Sequence, residues 1–130
     1  LVRTAQRFAE TKVTRETLLE PASNVALGSR FLSFLLERYG GAAPLAIAGY
    51  NAGEGAVDRW LKERGQLPLD EFIELIPFDE TRGYTKRVMA SFLAYSWLYE
   101  DKAPIPRLDF SLDEHMPRKE PERQGRRARR

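Results

Sequence analysis

Residues 44–61, PLAIAGYNAGEGAVDRWL, contain a small apolar segment, a glycine-rich turn and a second apolar pattern. The side chains of 45–50 are mostly small or apolar, so a helix here can pack closely against its neighbours. Gly53-Glu54-Gly55 interrupts that helix, because glycine weakens a helix interior and permits a sharp turn. A second helix is predicted over 56–64, with Val57, Trp60 and Leu61 on its inward face. The stretch therefore predicts two packed helices joined by a tight turn.

The residues before this stretch also follow helical spacing. Residues 1–9 place Leu1, Ala5, Phe8 and Ala9 on one face, as if the chain starts partway into a domain. Residues 14–19 predict a short helical connector that ends at Glu20-Pro21. A long helix is then predicted from an N-cap at Ser23 or Asn24 to Tyr39, where Gly40-Gly41 ends it. Its apolar residues cover most of the circumference, which predicts a central and largely buried helix.

Two more helices are predicted after the stretch. Asp70 is a suitable N-cap for a helix over 71–76, and Pro77 then interrupts the pattern. The last helix is predicted over 79–100. Neither alternating strand patterns nor internal repeats occur, so the predicted fold class is all-α. The aromatic residues expected in the core are Phe31, Phe34, Trp60, Phe92 and Trp97.

The character of the sequence changes after residue 100. Residues 101–130 contain several prolines, few apolar residues and an arginine-rich end, so we predict a body of residues 1–100 followed by an extended arm and a disordered tail. The whole chain has a formal net charge of +2, but residues 117–130 hold seven basic and two acidic residues. Residues 1–116 therefore hold the remaining 14 basic and 17 acidic residues, a net charge of −3, and are mildly acidic. The tail is interpreted as a solubilising end; the alternative is non-specific attraction to polyanions.

Composition excludes several kinds of chemistry. The chain has no cysteine, which rules out disulfides, thiolate metal sites and a cysteine nucleophile. Its single histidine, His115, lies in the predicted arm, where neither a catalytic triad nor a histidine metal cluster can be assembled. The composition therefore offers no thiolate or histidine metal site. No segment is apolar over the roughly 20 residues that a transmembrane helix needs.

Three linked segments carry a family resemblance. They are residues 48–55, AGYNAGEG; residues 76–84, IPFDETRGY; and, upstream, residues 19–41 with Leu19-Glu20-Pro21 and LLERYGG at 35–41. In this order and spacing they resemble the soluble lytic murein transglycosylase (SLT) domain, over about residues 1–99. The resemblance implies a lysozyme-like helical lobe of about five or six helices.

The resemblance also implies an activity. Members of this family cleave the β-1,4 bond between N-acetylmuramic acid and N-acetylglucosamine in peptidoglycan without water, and a single Glu acts first as acid and then as base to give a 1,6-anhydro product. The family's Glu lies in a segment before the Thr-Ala that Thr4-Ala5 resemble, so we expect it upstream of residue 1. This chain would then be the C-terminal portion of the domain and, alone, inactive. No catalytic residue is assigned within it, and the resemblance implies that the reaction needs no metal and no cofactor.

The resemblance assigns roles to seven residues of this chain. Tyr50, Asn51 and Glu80 are implied to bind substrate. Structural alternatives are that Asn51 stabilises the turn, Tyr50 packs in the core and Glu80 interacts with the helix dipole. Glu54 is interpreted as a solvated turn residue. The residues implied to support the site are Gly53, Gly55, Arg82 and Tyr84.

Three functional hypotheses follow. The first is a lytic transglycosylase whose partner is the peptidoglycan glycan strand, acting in the periplasm or cell envelope. The second is a non-catalytic glycan-binding or scaffolding module. The third is a helical nucleic-acid binder acting through its tail, although no aromatic residues for base stacking are interleaved there, so no specific nucleic acid is expected. Self-association, or a partner segment that covers a missing N-terminal part, is also expected.

Overall fold

The computed structural model describes residues 1–100, and these residues form seven helices and no strand. The predicted all-α fold class is therefore confirmed for the described residues. The predicted arm and tail at 101–130, including His115, lie outside them. The helices are α1 (Val2–Gln6), α2 (Arg15–Leu19), α3 (Pro21–Arg38), α4 (Ala43–Ala52), α5 (Glu54–Arg64), α6 (Leu69–Glu74) and α7 (Asp79–Tyr99).

Helix α4 is the centre of the fold. It packs against α3, α5 and α7, and its first seven residues include six that are buried. Small side chains permit these close contacts: a Cβ at Gly49 would lie 3.2 Å from a methyl group of Leu35. The core around α4 is formed by fully buried residues of its neighbours, among them Leu35, Tyr39, Val57, Leu61 and Phe72.

Glycines end two of the helices, as the sequence predicts. Gly40 and Gly41 follow α3 with φ angles of 59° and 85°, and Gly53 separates α4 from α5 with a φ of 85°. These are left-handed backbone conformations that L side chains rarely adopt. The turn at Gly53 places the C-terminal end of α4 beside the first turn of α5.

Several predicted helix starts are wrong by a few residues. Helix α3 begins at Pro21 with Glu20 as its N-cap, rather than after Ser23 or Asn24. The hydroxyl of Ser23 donates to the Glu20 carboxylate and the Asn24 amide donates to the Leu18 carbonyl, so neither side chain caps the helix. Helix α6 begins at Leu69, which places Asp70 inside its first turn.

Two predictions about burial are also wrong. Only Leu27, Phe31 and Leu35 are buried in α3, which is therefore a half-exposed helix within the described part of the chain. In α7, Phe92 and Trp97 are exposed rather than in the core. Phe31 and Trp60 are buried as predicted, and Phe34 packs against the core from a partly buried position.

Candidate functional site

A cleft of about 510 Å³ opens where α1, α3 and the junction of α4 with α5 meet. A smaller cavity of about 350 Å³ lies beside it, between α3, α4 and α7. Four residues line both cavities: Asn24, Gly28, Tyr50 and Tyr84. The two cavities together form a groove that runs past Tyr50, and we call this groove the cleft below.

Tyr50 stands at the C-terminal end of α4 and remains 38% exposed. Its ring lies 5.4 Å from the ring of Phe31, measured between centroids. Its hydroxyl reaches the backbone of α3 at Gly28, where an added Cβ would lie 2.6 Å from the Tyr50 oxygen. Phe31 and Gly28 therefore hold the Tyr50 side chain against α3, at the wall of the cleft.

Asn51 lines the same cleft and is held from α7. The Thr81 hydroxyl donates to Oδ1 of Asn51 over 2.7 Å, across 30 residues of sequence. Thr81 is only 2% exposed whereas Asn51 is exposed, so this contact is partly buried. The amide of Asn51 thus has a fixed partner at its oxygen and an open side toward the cleft.

Glu54 is the carboxylate that lines the cleft, and it forms an ion pair. It lies in the first turn of α5, so the prediction of a solvated turn residue is wrong. Arg7 Nη1 donates to Glu54 Oε1 over 2.5 Å. Partial burial raises the pKa of Glu54, but the hydrogen bonds from Arg7 and the helix backbone, with the charges of Arg7 and Arg38, outweigh it and bring that pKa below its ordinary value.

Arg7 is itself positioned by aromatic rings. Its guanidinium carbon lies 5.4 Å from the Phe8 ring centroid and 5.3 Å from that of Phe34. Arg30 donates to the Phe8 carbonyl over 2.8 Å. These contacts fasten the segment after α1 to α3 and hold Arg7 beside Glu54, which lines the cleft.

Removal of the Glu54 charge should destabilise the fold in a pH-dependent way. We expect Glu54→Gln to lower the free energy of unfolding at pH 7 by about 0.5–1 kcal/mol, a modest loss because Arg7 is half exposed. A carboxyl whose folded pKa is lowered stabilises the protein above its unfolded pKa of 4.5, and this contribution is lost as the pH falls through the folded pKa.

Urea unfolding of wild type and Glu54→Gln at pH 7 and pH 3 measures this effect. The difference between the two proteins should be smaller at pH 3. A difference that stays constant or grows toward pH 3 would contradict a stabilising charge at Glu54. Glu16, whose pKa is also lowered but which is fully exposed, supplies the control substitution Glu16→Gln.

The remaining residues singled out from the sequence lie at or near the cleft. Gly53 and Tyr84 line it, whereas Gly55 is exposed in the first turn of α5. Glu80 is exposed in the first turn of α7 and does not line the cleft, although the next residue holds Asn51. Arg82 donates to the Ile76 carbonyl over 3.0 Å and to Asp79, which ties the loop before α7 to its first turn.

A polar cluster behind the cleft joins α3 to α5. Arg38 forms an ion pair with Asp58, and the buried Tyr39 hydroxyl donates to Asp58 Oδ1 over 3.0 Å and approaches the Glu54 carbonyl at 3.2 Å. Burial, reinforced by the charge of Asp58, raises the pKa of Tyr39 well above its ordinary value. Tyr39 is therefore a hydrogen-bond donor over the whole ordinary pH range.

Sequence reasoning did not assign Gly28, Thr81 or the Arg7–Glu54 pair to the site. Gly28 and Thr81 both lie within the segments that carry the family resemblance, and that position was the signal that could have assigned them to the site. Arg7 and Glu54 are 47 residues apart, and no local pattern joins them.

Across residues 1–100, no group of three or more His, Cys, Asp or Glu side chains is placed to hold a metal ion. None of the helices in that range has the length and apolar character required to cross a bilayer.

Comparison with known proteins gives a consistent result. The model of the transglycosylase SLT domain family matches residues 2–73. The soluble lytic murein transglycosylase of Escherichia coli (strain K12) is 38% identical over 89 residues, which are 68% of this chain and 14% of that protein. The soluble lytic murein transglycosylase of Salmonella typhimurium is 43% identical over 74 residues, 56% of this chain and 12% of that protein.

A solved structure agrees with these sequence matches. The X-ray structure of an inactive Glu→Gln mutant of the lytic transglycosylase Slt from Pseudomonas aeruginosa superposes with a TM-score of 0.65 at 34% identity, covering 87% of this chain and 18% of that one. The chain spans less than a fifth of the length of the relatives it matches. On the family model, the sequence identity and the shared fold together, this chain belongs to the transglycosylase SLT domain family.

Proposed function

We propose that this chain forms the glycan-binding wall of a peptidoglycan lytic transglycosylase. The reaction is non-hydrolytic cleavage of the bond from N-acetylmuramic acid to N-acetylglucosamine, giving 1,6-anhydro-N-acetylmuramic acid. The observation that carries the proposal is the open cleft in which Tyr50 and Asn51 stand side by side at the end of α4. The action is assigned to the periplasm or cell envelope, where this polymer lies.

The chemistry of the cleft suits a sugar polymer. The ring of Tyr50 offers an apolar surface against which a pyranose can stack, and its hydroxyl offers a hydrogen bond. The amide of Asn51 adds a neutral polar group, and Glu80 is proposed to contact the glycan at the edge of the groove. Gly53, Gly55, Arg82 and Tyr84 are proposed to support the site, Arg82 through its hydrogen bond to the Ile76 carbonyl.

The general acid is proposed to be a Glu that lies upstream of residue 1, so this chain alone is inactive. A general acid needs a carboxyl whose pKa is raised toward neutrality, which burial without a cationic partner provides. Glu54, the carboxylate in the cleft, does not meet this requirement, because it pairs with the cation of Arg7 and its pKa is lowered rather than raised. Glu80 is exposed in the first turn of α7 and does not line the cleft, so it lacks the buried setting that a general acid needs.

The length of the relatives supports the proposal that this chain is one part of a longer protein. This chain corresponds to 14% of the E. coli protein, and an adjoining segment or a second copy is proposed to cover the exposed side of α3, where Val25 is 67% exposed. Residues 1–100 are proposed to be the C-terminal portion of the SLT domain, with 101–130 as an arm and basic tail.

A second candidate is a non-catalytic peptidoglycan-binding or scaffolding module. The pairing of Glu54 with Arg7 favours it, since the cleft then contains no carboxyl suited to acid catalysis. The two candidates differ in the natural protein: the enzyme carries a catalytic Glu next to this cleft, and the module does not.

The test uses the natural protein with its upstream coding sequence. If it is the enzyme, it should release 1,6-anhydromuropeptides from purified sacculi, detected by mass spectrometry. Tyr50→Phe and Glu80→Gln should each reduce the rate by about tenfold, the effect of one lost hydrogen bond that strengthens in the transition state. Neither substitution should change the helical content seen by circular dichroism.

The outcomes separate the candidates. Release of anhydro products that depends on an upstream Glu supports the enzyme. Binding to sacculi without any product, in a natural protein that has no such Glu, would favour the module. Unchanged turnover in both variants would remove Tyr50 and Glu80 from the substrate-binding set.

A further inference from the structure

Thr81 makes a contact that its place in the fold does not require. It lies in the first turn of α7, is 2% exposed, and its hydroxyl donates to Oδ1 of Asn51 over 2.7 Å. Helix α7 is anchored there independently, because the Thr85 hydroxyl donates to the Thr81 carbonyl over 2.8 Å and Arg82 holds the loop before the helix. The hydroxyl of Thr81 is therefore available to act on Asn51.

An asparagine amide presents different chemistry at its two ends. Oδ1 accepts hydrogen bonds and Nδ2 donates two. An unrestrained amide in a solvated cleft can turn over and offer either end to a ligand. In the structure the Thr81 hydroxyl donates to Oδ1, which leaves both Nδ2 hydrogens of this cleft-lining residue without a bond to Thr81.

We propose that Thr81 is a positioning residue that makes Asn51 a hydrogen-bond donor to the bound glycan. The inference rests on the proposed glycan-binding function of the cleft and adds a rule of specificity to it. The ligand atom opposite Asn51 is an acceptor oxygen, such as the carbonyl of an N-acetyl group, because a donor there would meet Nδ2–H. Thr81 touches no substrate; it acts through Asn51.

Three substitutions in the full chain test this role. Thr81→Val keeps the shape and removes the hydroxyl, Thr81→Ser keeps the hydroxyl, and Asn51→Asp keeps the oxygen that accepts from Thr81 but removes the donor. The probe is soluble glycan strands released from sacculi by removal of their peptide stems. Affinity is measured by titration calorimetry, and urea unfolding checks that each variant is folded.

We expect Thr81→Val and Asn51→Asp each to weaken binding about five- to tenfold, and Thr81→Ser to remain within about twofold of wild type. If the role of Thr81 were purely structural, the loss of affinity in each variant would instead parallel its loss in the free energy of unfolding. A second readout needs no glycan: the ¹⁵N relaxation of the Asn51 side-chain amide should report an ordered group in wild type and Thr81→Ser and a mobile one in Thr81→Val.

Each result has a defined meaning. Equal affinity of wild type and Thr81→Val, or an Asn51 amide signal that the Thr81→Val substitution leaves unchanged, would overturn the positioning role. Full binding by Asn51→Asp would overturn the donor assignment. Failure of wild type itself to bind the strands would overturn the proposed function of the cleft, while the relaxation data still decide whether Thr81 orders Asn51.

Discussion

Gly28→Ala should weaken glycan binding by about tenfold or more while leaving the protein as stable as before. The added Cβ would lie 2.6 Å from the Tyr50 hydroxyl oxygen, closer than any normal contact. The Tyr50 ring contacts Phe31 of α3 at 5.4 Å between centroids but is 38% exposed, so it can yield only on the side away from α3. The hydroxyl must therefore move away from α3 and into the space that the glycan would occupy.

The free energy of unfolding should not fall with the loss of binding. Gly28 is inside α3, and alanine is favoured over glycine in a helix interior by about 1 kcal/mol. This gain offsets the strain of moving Tyr50, so the free energy of unfolding should be unchanged or slightly raised. A loss of binding without a loss of stability separates a blocked cleft from a damaged fold.

Gly83→Ala is the matched control. Gly83 lies inside α7, and an added Cβ there would meet only the flexible end of the Arg87 side chain, at 3.1 Å. This variant should gain helix stability and bind glycan strands as wild type does. Unchanged binding by Gly28→Ala, measured by calorimetry with soluble strands, would show that the Tyr50 hydroxyl is not part of the binding surface.

Asp58→Ala should cause the largest loss of stability, about 2–3 kcal/mol in the free energy of unfolding. The carboxylate of Asp58 accepts from both the guanidinium of Arg38 and the hydroxyl of Tyr39, which is fully buried. Its removal leaves a partly buried cation without its counter-charge and deprives Tyr39 of one acceptor. The cluster joins the end of α3 to α5, so the loss also loosens the turn that carries Asn51 and Gly53.

Asp58→Asn is the control for shape. The amide oxygen still accepts from Tyr39, so we expect a loss of about 1 kcal/mol, due mainly to the missing charge beside Arg38. Urea unfolding at neutral pH measures both variants. Equal stability of Asp58→Ala and wild type would contradict a structural role for the Arg38–Asp58–Tyr39 cluster.

Local sequence signals predicted the helices and the central turn well. Glycines at 40, 41 and 53 require conformations that other residues avoid, so the ends of α3 and α4 were readable from residue type alone. Helix starts were less readable: Ser23 and Asn24 have capping chemistry, but Pro21 takes the first position and their side chains bond elsewhere. Capping propensity ranks the residues that could serve as the N-cap but does not determine which of them occupies that position.

Burial was harder to predict than helix position. Phe92 and Trp97 stand at helical spacing, yet both are exposed, and the buried residues of α7 end at Met89. Apolar periodicity indicates that a helix has an apolar face, but it does not indicate whether another element packs against that face. The same reason explains why α3 is half exposed rather than surrounded.

The candidate site could be predicted only as far as its motifs reach. Tyr50 and Asn51 stand in the segment that carries the family resemblance, and both line the cleft. The contacts that position them come from elsewhere in the chain: Gly28 lies 22 residues before Tyr50, and Thr81 lies 30 residues after Asn51. Such pairs are created by the packing of α3 and α7 against α4, which a single sequence does not reveal.

The most direct measurement of the central claim combines a pull-down on purified sacculi with zymography of the same wild-type chain. The account predicts that the chain binds sacculi through its cleft and produces no clearing, because it holds the glycan without a general acid. Clearing of the sacculi by this chain would contradict the proposal that the acid lies upstream. Absence of binding would contradict the assignment of the cleft to glycan.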